Sequence, residues 1–152
     1  MMRTVTGVAF AAFLGFAAVL ARADTVPPPP VSLGAGVTLA ITPLKRPRSA
    51  ATTLISLPVT IANNGPGAVR VKCRDFLLTD GVGQKAMALL PSELVFEKVS
   101  SPPLPEGTLS TGRSSSGSLY FNLPSAFVPP VELRVDLESP DGTALGQTFV
   151  PL

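Results

Sequence analysis

From residue 31 to the end of the chain the apolar residues come in short runs, and nearly every gap between runs holds Gly, Pro, Asn or Asp. The runs cover residues 37–41, 54–62, 68–78, 86–90, 94–99, 118–123, 131–137 and 147–152. Each is of strand length, and the breakers between them supply the backbone angles that tight turns require. Eight short strands separated by turn signals predict an all-β domain, a sandwich or a barrel. The 152 residues would bury roughly two-thirds of the surface of the unfolded chain, so one self-sufficient core is feasible.

The side-chain period identifies the faces. Residues 131–138 read Val-Glu-Leu-Arg-Val-Asp-Leu-Glu, apolar at every odd position and charged at every even one, which predicts one buried and one wet face. In residues 69–74 the same period places Val69, Val71 and Cys73 inside and Arg70, Lys72 and Arg74 outside. Residues 57–61 alternate too, with Pro58 on the outward side; a residue without an amide proton predicts an edge strand or a bulge there. The stretch Asn63-Asn64-Gly65-Pro66-Gly67 suits a hairpin loop, and Asp80-Gly81 and Asp141-Gly142 suit tight turns. Residues 91–99 fit either a helical turn started by Pro91 or a strand carrying Leu94, Val95, Phe96 and Val99, and lean to strand. Residues 102–118, rich in Pro, Gly, Ser and Thr, predict a mobile surface loop.

Composition removes most catalytic chemistry. With no His there is no imidazole base and no His-containing metal site. The single Cys excludes an internal disulfide and a Cys cluster. On the apolar face of its strand, Cys73 reads as a buried small hydrophobe, the alternative being a surface thiol open to intermolecular pairing. Asp75 and Asp80, five apart on one strand, would lie about 16 Å apart on opposite faces, too far for a glycosidase pair; as turn carboxylates both are explained. Ser114, Ser115 and Ser116 belong to no Ser-x-x-Lys motif. No enzyme activity, cofactor or metal is expected.

Residues 1–23 read as a signal peptide: Arg3, a charge-free run from Thr4 to Ala21, and the ending Ala21-Arg22-Ala23. Residues 24–31, with Pro27 to Pro30, read as a stiff Pro-rich spacer, and residues 32–152 as the β-sandwich domain. Arg3 and Arg22 account for the whole formal charge of +2, so removing two of the twelve basic residues leaves ten against ten acidic ones. The basic pI therefore belongs to the precursor, and neither a nucleic-acid partner nor a membrane anchor surviving cleavage is expected. The expected address is periplasmic or extracellular.

The order "strand, Asn-Asn-Gly turn" at 57–65, Val69 to Val71, Asp75-Phe76-Leu77-Leu78-Thr79-Asp80-Gly81, then Gly117-Ser118-Leu119-Tyr120-Phe121 and Leu133-Arg134-Val135 resembles the bacterial secreted immunoglobulin-like domains of unknown function, to which the mycobacterial immunoprotective extracellular protein is similar. The resemblance spans about residues 37–152. It implies an immunoglobulin-like antiparallel β-sandwich of about seven to eight strands and an exported, non-catalytic role, and it supplies no catalytic residues.

The expected function is accordingly an interaction or accessory module of the cell envelope or extracellular space. Its candidate partner-binding residues are Arg70, Lys72 and Arg74, although the row reads first as a solvated strand face paired with Glu132, Asp136 and Glu138. The alternative is a periplasmic chaperone-like or ligand-binding protein that accepts a strand or small ligand at a sheet edge such as residues 57–61. A second basic loop holds Lys45, Arg46 and Arg48.

Overall fold

Strand β3 (Leu54–Asn63) shows the alternation most cleanly: Ile55, Leu57, Val59 and Ile61 are buried, and the residues between them are half-exposed. It belongs to a computed structural model that describes residues 28–42, 54–95, 99–123 and 130–152. Residues 1–23, the basic loop with Lys45, Arg46 and Arg48, and Phe96 to Lys98 lie outside the described residues.

Two antiparallel sheets contain ten strands among the described residues. The smaller pairs β1 (Val31–Gly34), β2 (Val37–Ile41), β3 and β8 (Arg113–Asn122) in that order. The larger holds β4 (Val69–Val71), β5 (Phe76–Asp80), β6 (Lys85–Met87), β7 (Gly107–Leu109), β9 (Pro130–Glu138) and β10 (Ala144–Pro151). There β4 and β5 follow each other along one side of β9, with β7 paired to β4 and β6 to β5, and β10 lies along the other side of β9. The inner faces meet in one core that includes Leu39, Leu57, Ile61 and Phe121 from the smaller sheet and Phe76, Leu78, Leu133 and Val135 from the larger. One side is bridged where Leu89 N donates to Tyr120 O at 2.7 Å; on the other, Thr148 Oγ1 donates to Leu33 O at 3.1 Å.

Several expectations are corrected. The segment predicted as a single strand, 68–78, is broken by a 3₁₀ turn at Cys73–Asp75. Opposite the straight run of β9, Arg70 faces Glu138 and Phe76 faces Val135, so three extra residues bulge out between them. The turn resets the phase, and Asp75 and Asp80 are therefore both buried instead of pointing to opposite faces. Strand β3 is not an edge: β2 and β8 flank it. Pro58 is tolerated because its backbone faces Thr42, whose N donates to Pro58 O at 3.0 Å just past the end of β2, so the ladder to β8 is untouched. Strand acceptance at residues 57–61 is thereby excluded.

The loop Asn63 to Gly67 does not close a hairpin but carries the chain from one sheet to the other. Asn63 holds it, its Nδ2 donating to Gly67 O and Leu109 O, both at 2.9 Å, and its Oδ1 accepting from Gly65 N at 3.0 Å. Residues 102–118 are not a mobile loop: they contain β7 and the first half of β8. Before β7, Leu104 N donates to Ser118 O and Ser118 N to Pro102 O, both at 2.9 Å, and the Tyr120 hydroxyl donates to Ser101 O at 2.6 Å. In 91–99 the strand reading fails at its start, where Pro91–Leu94 forms a 3₁₀ turn. Val131, placed inside by its period, is 47% exposed, because a bulge opposite Asp80 shifts the phase at the start of β9.

Candidate functional site

The three basic residues singled out from the sequence surround one cleft. Arg70 projects from β4, Lys72 follows that strand, and Arg74 sits in the 3₁₀ turn. With Val71, Leu90, Glu106 and Gly107 they line an open cleft of about 380 Å³. A smaller hollow of about 120 Å³ shares Val71, Glu106 and Gly107 with it and continues past β7 to Ser115.

The cations differ in their pairing. Lys72 Nζ lies 2.5 Å from Glu138 Oε2, the cross-strand partner that the alternation suggested. Arg74 Nη2 lies 2.6 Å from Glu93 Oε1, a carboxylate from the Pro91–Leu94 turn instead of β9. Glu132 faces Thr79, and Asp136 pairs with Arg134 of its own strand at 3.0 Å, so neither serves the basic row. Arg70 stands opposite Glu138, whose carboxylate is turned to Lys72; among the described residues Arg70 has no ion pair. Both ion pairs are about one-third exposed, and each contributes about 0 to 1 kcal/mol.

Behind the cleft the polar groups have structural work. Glu106 Oε1 accepts from Cys73 N at 2.8 Å, and Asp75 Oδ2 accepts from Lys72 N at 3.0 Å, which together hold the 3₁₀ turn. Burial raises the Asp75 carboxyl to about 6, against the lowering effect of the Lys72 amide and ammonium. Cys73 is buried, and desolvation with the nearby Glu106 carboxylate pushes its thiol up to about 11. A thiol in that setting is neither nucleophile nor metal ligand at neutral pH. Asp80 is a turn carboxylate, its Oδ1 accepting from Val82 N at 3.0 Å and Gln84 N at 2.8 Å. Among the described residues no group of three or more His, Cys, Asp or Glu could hold a metal ion, and no helix is long and apolar enough to cross a membrane.

The sequence thus pointed to the cations of the cleft and to Glu138 but missed Glu93 and Glu106. Glu106 lay in the stretch taken for a loop and Glu93 in the ambiguous one, and only the fold brings them to residues 73 and 74.

No protein-family model matches the chain, and no curated protein sequence matches it. Among solved structures it is similar to the yjhA protein of Bacillus subtilis, with a TM-score of 0.52 and 15% identity over 82% of this chain and 96% of that one. It is also similar to ycdA of Bacillus subtilis, named as a lipoprotein, with a TM-score of 0.51 and 18% identity over 78% of this chain. The chain spans only 37% of that protein's length. A fainter likeness, TM-score 0.46 and 15% identity over 65% of this chain and 73% of that one, is to the secreted protein MPT63 of Mycobacterium tuberculosis. At these identities the first two likenesses show a shared fold.

Proposed function

We propose that the chain is an exported, non-catalytic, immunoglobulin-like binding or accessory module that holds a protein partner of the envelope or extracellular space at the cleft of Arg70, Lys72 and Arg74. The observation that carries this reading is the convergence of those three cations on one open cleft, with Arg70 unpaired among the described residues. Residues 1–23 serve as the export signal, residues 24–31 as the spacer and residues 32–152 as the binding domain; the fold shared with a protein named as a lipoprotein supports an address outside the cytoplasm.

The test is cross-linking in native cells followed by capture of the tagged protein and mass spectrometry, with its N-terminus read in the same run. A partner captured by the native protein and by Arg113→Glu, a charge change on the other sheet, but lost from Arg70→Glu combined with Lys72→Glu, is the expected result. Equal capture by all three proteins would remove the cleft from the reading, and an N-terminus other than Asp24 would remove the export assignment.

A second reading has its own observation. Leu152 N donates to Val131 O, so in the antiparallel register the Gln147 and Phe149 backbone groups point away from β9, along an edge with which no strand among the described residues is paired, β1 lying beside it only through Thr148 Oγ1 and Leu33 O. An extended client could add there; co-purified peptide released on denaturation is the result that would favour it.

A further inference from the structure

The cleft is not a surface of one sign. Lys72 and Arg74 are paired with Glu138 and Glu93, and the Glu106 and Asp75 carboxylates lie beside them, so carboxylates are at least as numerous there as the cations Arg70, Lys72 and Arg74. A uniformly anionic surface such as a lipid bilayer or a nucleic-acid backbone would meet the carboxylates together with the cations and gain little. A ligand that places carboxylates one at a time avoids that repulsion. The two engaged cations already show what the cleft accepts, since each holds one oxygen of a carboxylate of the same chain.

Spacing narrows the class further. Arg70 and Lys72 are two residues apart along an extended segment, so their side chains leave the backbone about 7 Å apart on one face. That is also the repeat of alternate side chains on an extended polypeptide. The cleft is lined from Leu90 to Gly107, and the smaller hollow beside it shares Val71, Glu106 and Gly107 and reaches Ser115 of the other sheet. At Gly107 a Cβ would meet no atom within 4 Å, so the space beside its Cα is open.

Building on the binding role of this cleft, we propose that its ligand is an extended acidic polypeptide segment with carboxylates on alternate residues. One carboxylate meets Arg70, and the next competes with Glu138 for Lys72. Arg74, tied to Glu93, closes the far end.

Fluorescence anisotropy tests this with the full chain, expressed with its own leader and recovered after export. The probe is a fluorescein-labelled Glu-Thr-Glu-Thr-Glu-Thr peptide, with Gln-Thr-Gln-Thr-Gln-Thr as the control and phosphatidylglycerol/phosphatidylcholine vesicles as a separate arm. The acidic peptide is expected to bind, more weakly as NaCl rises from about 0.02 to about 0.15 M. The Gln peptide is expected not to bind, and Arg70→Ala to weaken binding about fivefold or more. Arg70 is exposed, so this variant keeps the fold; Arg70→Lys should retain most of the binding. Vesicle binding that depends on Arg70, without peptide binding, overturns the acidic polypeptide while leaving the cleft as the contact surface. Failure of both probes overturns it too, and cleft-dependent capture in cells then decides separately whether the binding role stands. Equal affinity of Arg70→Ala and the native protein for the acidic peptide would also overturn it.

Discussion

At the scale of single residues, Asp75 carries the clearest consequence. Its carboxyl sits at about 6 in the folded protein against an ordinary value of 3.8, because burial outweighs the hydrogen bond from Lys72 N, and the nearby Glu138 and Asp136 add to the rise. The folded state then binds the proton more tightly than the unfolded state, so this residue's contribution to stability is full below about pH 4 and is lost as pH rises through 6. The loss is on the order of 2–3 kcal/mol. Asp75→Asn keeps an acceptor for the Lys72 amide and cannot ionise. Urea unfolding at pH 4 should therefore find the native protein and the variant similar, and at pH 7 the variant more stable; a constant difference across that range would mean that Asp75 ionises freely in the fold. Cys73, with its thiol at about 11 and no exposure to speak of, should react with a thiol reagent at pH 8 only after denaturation. Prompt labelling of the native protein would place the thiol at the surface.

Among the elements, those with a regular period were legible and those shaped by a close approach were not. Strands β3 and β9 show their buried faces in the sequence because Ile55 to Ile61 and Leu133 to Leu137 alternate without interruption. The 3₁₀ turn at Cys73–Asp75 was hidden because Val69, Val71 and Cys73 keep the strand period up to it, and only the adjacent buried pair Asp75 and Phe76 marks the change of phase. The first half of β8 reads as loop because its inward positions are Ser115 and Gly117, facing Ile61 and Val59. Gly117 is small for a physical reason: a Cβ there would lie 2.5 Å from Leu104 Cα and 2.8 Å from Pro103 O. Gly117→Ala should thus cost about 1–3 kcal/mol or more, as overpacking against backbone does. Gly67, where a Cβ meets nothing within 4 Å, should accept Ala with a gain of about 0.4–1 kcal/mol from the stiffer unfolded chain. Denaturation midpoints of the two variants check both signs, and a neutral Gly117→Ala would mean that the Pro102 to Leu104 segment does not pack on β8 as described. In the site, the cationic row was legible as a local alternation, whereas its carboxylates come from 19 residues away in Glu93 and 33 in Glu106, beyond any periodicity.

At the scale of the whole molecule the two sheets divide the surface chemistry. The four strands of the smaller sheet contain a single charged residue, Arg113, while those of the larger carry Arg70, Asp80, Lys85, Glu132, Arg134, Asp136 and Glu138. An outward row of Thr38, Ala62 and Ser114, followed by Ala40, Thr60 and Ser116, gives the smaller sheet a neutral, hydroxyl-bearing face. On the larger sheet the register aligns Met87, Leu77, Arg134 and Phe149 across four strands, with Phe149 54% exposed, so apolar side chains lie among the charges there. This segregation coexists with near-zero net charge. If residues 1–23 are removed as proposed, the ten basic and ten acidic residues cancel, the chain has no His, and the Asp75 carboxyl at about 6 lies between about pH 5.5 and 8. The net charge is therefore pinned close to zero over that whole interval, and electrostatic repulsion between molecules stays weak. Electrophoretic light scattering of the exported protein should find a mobility near zero that changes little from pH 6 to 8, with solubility lowest in the same interval. A chain that keeps Arg3 and Arg22 would migrate as a cation throughout, so a steady positive mobility would show that residues 1–23 remain attached.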